Sequence, residues 1–272
     1  MNKITKTVSV KIDNLRKKTP LVHNITNYVT VNDVANALLA IGGSPIMADD
    51  INEAGNITSI SSALVINIGT LNKRTISSMI AAGIRANERG IPVVFDPVGA
   101  GASRLRNETT KEILDNVKMS IIRGNLSEVS FIAGFEVSTK GVDSSEKDEK
   151  NDSVSVANTV ANKLGCVVAI TGAVDVISDG KQVVKISNGH KMLAKVTGTG
   201  CMTTALVGAF AGVDNDYFSA AVGGVASMGI AGEIAFEKCG DMGTGSFHIA
   251  IIDSLSNLDG KVFSERAKLD EE

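Results

Sequence analysis

The stretch Val196-Thr197-Gly198-Thr199-Gly200-Cys201 runs directly into an apolar segment with helical patterning, residues 202–213. A glycine-threonine turn that opens a helix points unpaired backbone N–H groups, and the positive end of the helix dipole, at one small volume. That volume suits a phosphate. Glycine lets the backbone approach an anion with no Cβ in the way, and the threonine hydroxyls offer further donors. Cys201 then falls in the first helical turn, where a thiol could hold or deprotonate a reacting hydroxyl. The helix N-terminus is expected to lower its pKa below the usual thiol value of about 8.5. A glycine-rich turn ahead of a buried structural cysteine has the same pattern, so the neighbouring motifs decide.

Those motifs sit where apolar runs end. Asp96-Pro97-Val98-Gly99-Ala100-Gly101 follows Val93-Val94-Phe95, and Arg123-Gly124-Asn125 follows Ile121-Ile122. Thr171-Gly172 follows Ala169-Ile170, and Asn67-Ile68-Gly69-Thr70 closes another run. In an open parallel sheet, ligands gather beyond the carboxyl ends of the strands, so four such endings point to one shared edge.

The elements that must position these groups follow from patterning. Short β-branched runs at 44–48, 64–68, 92–95, 119–122 and 167–170 alternate with helical patterns, which predicts a mostly parallel sheet covered on both faces. Near residue 175 the rhythm changes. Residues 175–178 and 182–186 read as a hairpin across a two-residue Asp179-Gly180 turn, and 191–196 as a further strand leading into the glycine turn. An antiparallel edge is therefore expected near residues 175–196. Three helical patterns follow, at 202–213, 216–238 and 244–258. Residues 140–152, dense in charge, read as a solvated loop and helix entry. No linker divides the chain, so residues 1–272 are expected to form one domain.

Composition narrows the function classes. Hydrophobic residues make up 43% and charged residues 21% of the 272, the balance of a soluble globular protein. A net charge of −3, no Trp and two Tyr offer neither a basic field nor stacking platforms for nucleic acid. Cys166, Cys201 and Cys239 are odd in number and lack metal or disulfide spacing, which fits a reducing cytoplasm. Lys11 and Asp13 interrupt any signal-peptide core, and the weakly polar stretch 218–232 is short for a membrane span. His23, His190 and His248 show no metal-ligand spacing; His23 is expected near the site, the other two in structural roles.

Taken together, DPVGAG (96–101), RGN (123–125) with Glu128, ITG (170–172) and VTGTGC (196–201) resemble the ribokinase-like family of vitamin kinases. PLVHNITN (20–27) and GGSPIMA (42–48) narrow the resemblance to the bacterial hydroxyethylthiazole kinases of thiamine biosynthesis and salvage, from about Pro20 to beyond residue 250. The resemblance implies a three-layer α/β/α ribokinase-like fold. It implies ATP-dependent, Mg²⁺-assisted phosphorylation of the primary alcohol of 4-methyl-5-(2-hydroxyethyl)thiazole, and a homotrimer with sites near subunit boundaries.

Carried onto matching positions, the resemblance makes Gly198, Thr199, Gly200 and Cys201 the phosphate turn, with Gly198 also near substrate. Cys201 stands where most ribokinase-like enzymes carry Asp. Arg123 and Thr171 match nucleotide-contacting positions, Asp96 and Glu128 the magnesium-organising carboxylates, and Met47 and Asn24 the thiazole pocket. Hydroxymethylpyrimidine and pyridoxal kinases are the nearest alternatives. A ribokinase-like NAD(P)H-hydrate dehydratase and a nucleotide sensor lie further off.

Overall fold

In the computed structural model, which describes residues 2–134 and 152–271, nine strands form one sheet. They are β1 (Leu21–Ile25), β2 (Ser44–Ile46), β3 (Ala63–Asn67), β4 (Val93–Asp96), β5 (Ile121–Asn125), β6 (Val167–Thr171), β7 (Asp175–Ser178), β8 (Val183–Ile186) and β9 (Leu269–Glu271). Their order is β2-β1-β3-β4-β5-β6-β7-β8-β9, parallel from β2 through β6 and antiparallel from β6 outward.

Alternate residues of each parallel strand feed opposite faces, as a period of two requires. Ala63 and Val65 of β3 join one core with α1 (Lys3–Lys18), α2 (Val31–Ile41), α8 (Thr199–Ala211), α9 (Tyr217–Cys239), α10 (Thr244–Ser256) and α11 (Gly260–Arg266). Leu64 and Ile66 join the other, with α3 (Ala54–Ile60), α4 (Lys73–Arg89), α5 (Arg104–Asn116), α6 (Leu126–Ala133) and α7 (Ser153–Leu164). The result is the expected α/β/α sandwich. Strand order reverses between β1 and β3, which opens a crevice at their carboxyl ends.

The antiparallel edge is present, with three differences from expectation. Ser178 pairs with Val183, so the hairpin loop has four residues, held by the Asp179 carboxylate accepting from the amides of Lys181 and Gln182. Residues Lys191–Lys195 form a 3₁₀ helix instead of a strand. Gly189, at φ 137°, turns the chain, and Leu193 is seated so close to Gly232 that a Cβ there would stand 2.7 Å from it. The edge position falls to β9, from the far end of the chain. Of the charged stretch at 140–152, residues through 151 lie outside the described residues; Asp152 caps α7 by accepting from Val154 and Ser155.

Helix α9 is long and apolar enough to pass for a membrane span, yet 89% of its most apolar window is buried inside the fold. Its small residues let it lie against α8 nearly backbone to backbone. A Cβ on Gly224 would meet the Val207 nitrogen at 2.5 Å and its Cα at 2.6 Å. Since backbone atoms yield far less than side-chain tips, Gly224→Ala is expected to destabilise the fold by about 1–3 kcal/mol or more. Thermal melts check this; an unchanged melting temperature would show that the two helices separate freely.

Candidate active site

Five strand ends and one helix start meet at a cleft of about 980 Å³. Its floor is Asp96, the last residue of β4, fully buried. Asp96 Oδ2 accepts from Asn67 Nδ2 at 2.8 Å and from Thr204 Oγ1 at 2.7 Å, while Arg123 Nη1 stands 3.8 Å away. Its other oxygen, Oδ1, is buried without a hydrogen-bond partner. Burial pushes this carboxyl above the usual carboxylate range, and Arg123, Thr204 and Asn67 pull it back.

Glu128 sits at the third position of α6, in a capping box with Asn125. Its two oxygens accept from the backbone amides of Gly99 and Asn125, each at 2.8 Å, so one side chain ties the β4 loop to the β5 end. Burial first, and then the Asp96 charge, raise its pKa to about 7. Arg123, from the middle of β5, donates to Thr171 Oγ1 at 2.5 Å on the neighbouring strand. Thus Asp96, Glu128, Arg123 and Thr171 are brought together as the sequence indicates.

The glycine turn is present, and helix α8 starts at Thr199, three residues before the helical pattern expected from Met202. Gly198 is its N-cap in the left-handed region, φ 86°, and offers no side chain to cap the first amides. A Cβ there would stand 2.7 Å from Thr30 Cγ2, and one on Gly200 would stand 2.9 Å from Arg123 Nη1. Only glycine lets Arg123 and Thr30 approach this helix start so closely. The Thr199 hydroxyl donates to the carbonyls of Leu193 and Val196, so at this residue the donor left for an anion is the backbone amide.

Cys201 lines the cleft, yet its thiol departs from expectation. Burial and then the Asp96 charge push its pKa up, outweighing Thr30, Asn67 and Arg123, which lower it. The dipole of the helix start is present, but desolvation dominates at this depth. The sulfur accepts from Asn27 Nδ2 at 3.1 Å and from Asn67 Nδ2 at 3.3 Å.

Two expected pocket residues and His23 do not line this cleft. Asn24 is buried in β1, its amide donating to Val22 O and its Oδ1 without a partner. Met47, after β2, is half-buried against the core. The His23 ring contacts Thr58 Oγ1 and Ala48 O, both at 2.8 Å, and burial lowers its pKa. His190 stacks on Phe236, and His248 pairs with Asp33 at 3.1 Å.

Sequence reasoning missed Asn27, Thr204 and Asp175 as site residues. Asn27 closes the PLVHNITN motif, and Thr204 lies one helical turn beyond Gly200; both spacings were available. Asp175 opens β7 on the cleft wall, buried, and accepts from the Gly172 amide at 2.9 Å.

The sequence model of the hydroxyethylthiazole kinase family matches residues 12–261. A hydroxyethylthiazole kinase of Ruminiclostridium cellulolyticum is 68% identical over 272 residues, covering 100% of both chains. The structure of the hydroxyethylthiazole kinase protein from Pyrococcus horikoshii OT3 superposes with a TM-score of 0.89 at 38% identity, covering 98% of this chain and 99% of that one. A ribokinase-like superfamily protein from Enterococcus faecalis, 10% identical, shares the fold with a TM-score of 0.64 over 92% of this chain and 95% of its own.

Burial raises the Asp175 pKa to about 7, from 3.8 when unburied. An acid whose folded pKa is raised binds its proton more tightly in the fold, so its effect lowers stability as pH rises from about 4 to about 7. Asp175→Asn keeps an acceptor for Gly172 and carries no charge. The variant is expected to melt less steeply with pH across that window and to exceed the parent's melting temperature at pH 8. Superimposable melting profiles would contradict the buried-acid account.

Proposed function

The chain belongs to the hydroxyethylthiazole kinase family, and on that premise we propose that this cleft transfers the γ-phosphoryl group of ATP to the primary hydroxyl of 4-methyl-5-(2-hydroxyethyl)thiazole. The observation that carries the assignment is the uncapped start of α8 facing Arg123 and Asp96 across one cleft, with a thiol between them.

In phosphoryl transfer the bond from the attacking oxygen to phosphorus forms as the β–γ bridge bond breaks. The transition state is loose, so positioning and charge neutralisation matter more than a strong base. The amides of Thr199, Gly200 and Cys201 supply donors for the equatorial oxygens, and the planar fork of Arg123 fits phosphate oxygens. Thr171 holds that fork in place. Cys201 Sγ orients the attacking hydroxyl by accepting its hydrogen bond, and late in the transfer the proton passes to an oxygen of the transferred phosphoryl group as ADP departs.

Mg²⁺ fits the same floor. Asp96 Oδ1, buried without a partner, is an acceptor awaiting a cation or its water, and Glu128 stands beside it. Mg²⁺ keeps most of its waters and needs few protein ligands. When bound, it neutralises charge on the transferring phosphates.

Met47, half-buried on the β1–β2 edge beside the cleft, is assigned to the thiazole end of the site, with Gly198 between ring and phosphate; Asn24, buried in β1, is assigned to the same end as the residue that backs that edge from within. Exposed Tyr28 and Val29 follow β1 on this side of the sheet. By likeness to the family we infer a homotrimer in which a second copy meets this edge, in a cytoplasmic enzyme.

Incubation with ATP and Mg²⁺, followed by ³¹P NMR, is expected to give a monophosphate with hydroxyethylthiazole and none with hydroxymethylpyrimidine or pyridoxal. Product only in another tube would reassign the substrate. Cys201→Ser is expected to lower kcat with little change in KM, and full activity of Cys201→Ala at saturating substrate would remove the thiol from the mechanism. Light scattering on the eluted protein is expected to give three times the 28.3 kDa chain mass; a monomer would refute the trimer.

A further inference from the structure

Asn27 and Asn67 arrive at Cys201 from different strand ends, and each is locked in orientation by a backbone amide. Asn27 Oδ1 accepts from the Thr30 N–H at 3.1 Å, and Asn67 Oδ1 accepts from the Gly69 N–H at 2.8 Å. A backbone N–H can only donate, so each carboxamide oxygen must face its backbone and each NH₂ must face the other way. The other way is the sulfur. Asn67 uses its NH₂ on both Asp96 Oδ2 and Cys201 Sγ, whereas Asn27 directs its NH₂ to Cys201 Sγ.

Both side chains are buried, and the room for them is made by one residue. A Cβ on Gly69 would stand 2.6 Å from Asn27 Nδ2 and 2.9 Å from Asn67 Oδ1. Gly69 itself has an ordinary negative-φ or extended backbone, so its lack of a side chain serves space and not conformation. Arg106 fixes this turn from outside, donating to the carbonyls of Ile68 and Gly69.

We infer that Asn27 and Asn67, in the space left by Gly69, are positioning residues that hold the Cys201 sulfur as a hydrogen-bond acceptor and leave its open side to the acceptor alcohol. Thr30, whose hydroxyl donates to Asn27 Oδ1, braces the Asn27 arm. The inference rests on the kinase reading for its purpose, but its geometry is testable without turnover.

Asn27→Asp is nearly isosteric and reverses one polarity. Its first oxygen still accepts from Thr30, while the second replaces the NH₂ and presents a negative acceptor to the sulfur. Alkylation of Cys201 by iodoacetamide at fixed pH, followed by mass spectrometry of its peptide, reads the change directly. The variant is expected to react at least about tenfold more slowly, with kcat falling by a similar factor and KM for ATP within about threefold of the parent. Gly69→Ala, which pushes both carboxamides aside, is expected to slow alkylation likewise. Should Asn27→Asp fail to fold, Asn27→Ala removes the same donor without adding charge and is expected to slow the reaction less. Parental alkylation rates in the folded Asn27 variant and in Gly69→Ala would overturn the inference. Slowed alkylation together with a fully active Cys201→Ala would instead support the donor pair and refute the thiol's part in turnover.

Discussion

A fully buried carboxylate at the end of a central strand is the constraint around which this site is arranged. An isolated charge at that depth would be neutralised or would destabilise the fold by several kcal/mol unless donors surround it. Asp96 receives one donor from β3 through Asn67 and one from α8 through Thr204, with the Arg123 charge of β5 close by. Each of these elements is thereby fixed relative to the others at the sheet's carboxyl edge. Among the described residues, this network keeps two buried atoms without a partner, the second Asp96 oxygen and Arg123 Nε, so it remains open on the side of the cleft.

The same network explains how a helix start can face the cleft uncapped. Gly198 supplies no capping side chain, and the approach of Thr30 and Arg123 depends on the absence of Cβ atoms at 198 and 200. Glu128 then links the loop after β4 to the end of β5 through two backbone amides, so the cleft floor and its cationic wall are tied to one another. Rigid preorganisation of this kind is what a loose phosphoryl-transfer transition state rewards.

The parallel sheet was legible because its central strands are buried on both faces and read as continuous β-branched runs. Strand β1 was not, since His23 and Asn24 interrupt the run; the fold accommodates them through contacts to Thr58, Ala48 and Val22 that no local pattern announces. The 3₁₀ segment after Gly189 was read as a strand because its apolar residues carry no sign of the small-residue surface on α9 that receives Leu193. At the cleft, the gathering of Asp96, Arg123 and Thr171 at strand ends was legible from motif order. Asn27 and Thr204, which contact Cys201 and Asp96, were missed because those partners lie 174 and 108 residues away.

The direction of the Cys201 shift shows which physical effect outranks the other at this depth. A helix start favours a thiolate by a fraction of a charge, whereas burial and the nearby Asp96 both favour the neutral thiol. A carboxylate at position 201 would add a second full charge beside Asp96 in the absence of nucleotide. A thiol adds no further charge beside Asp96 and keeps a polarisable acceptor aimed at the cleft. The amide donors around the sulfur favour that acceptor geometry in either protonation state. The residue is therefore suited to hold an alcohol in line while cations and backbone amides carry the charge of the reaction.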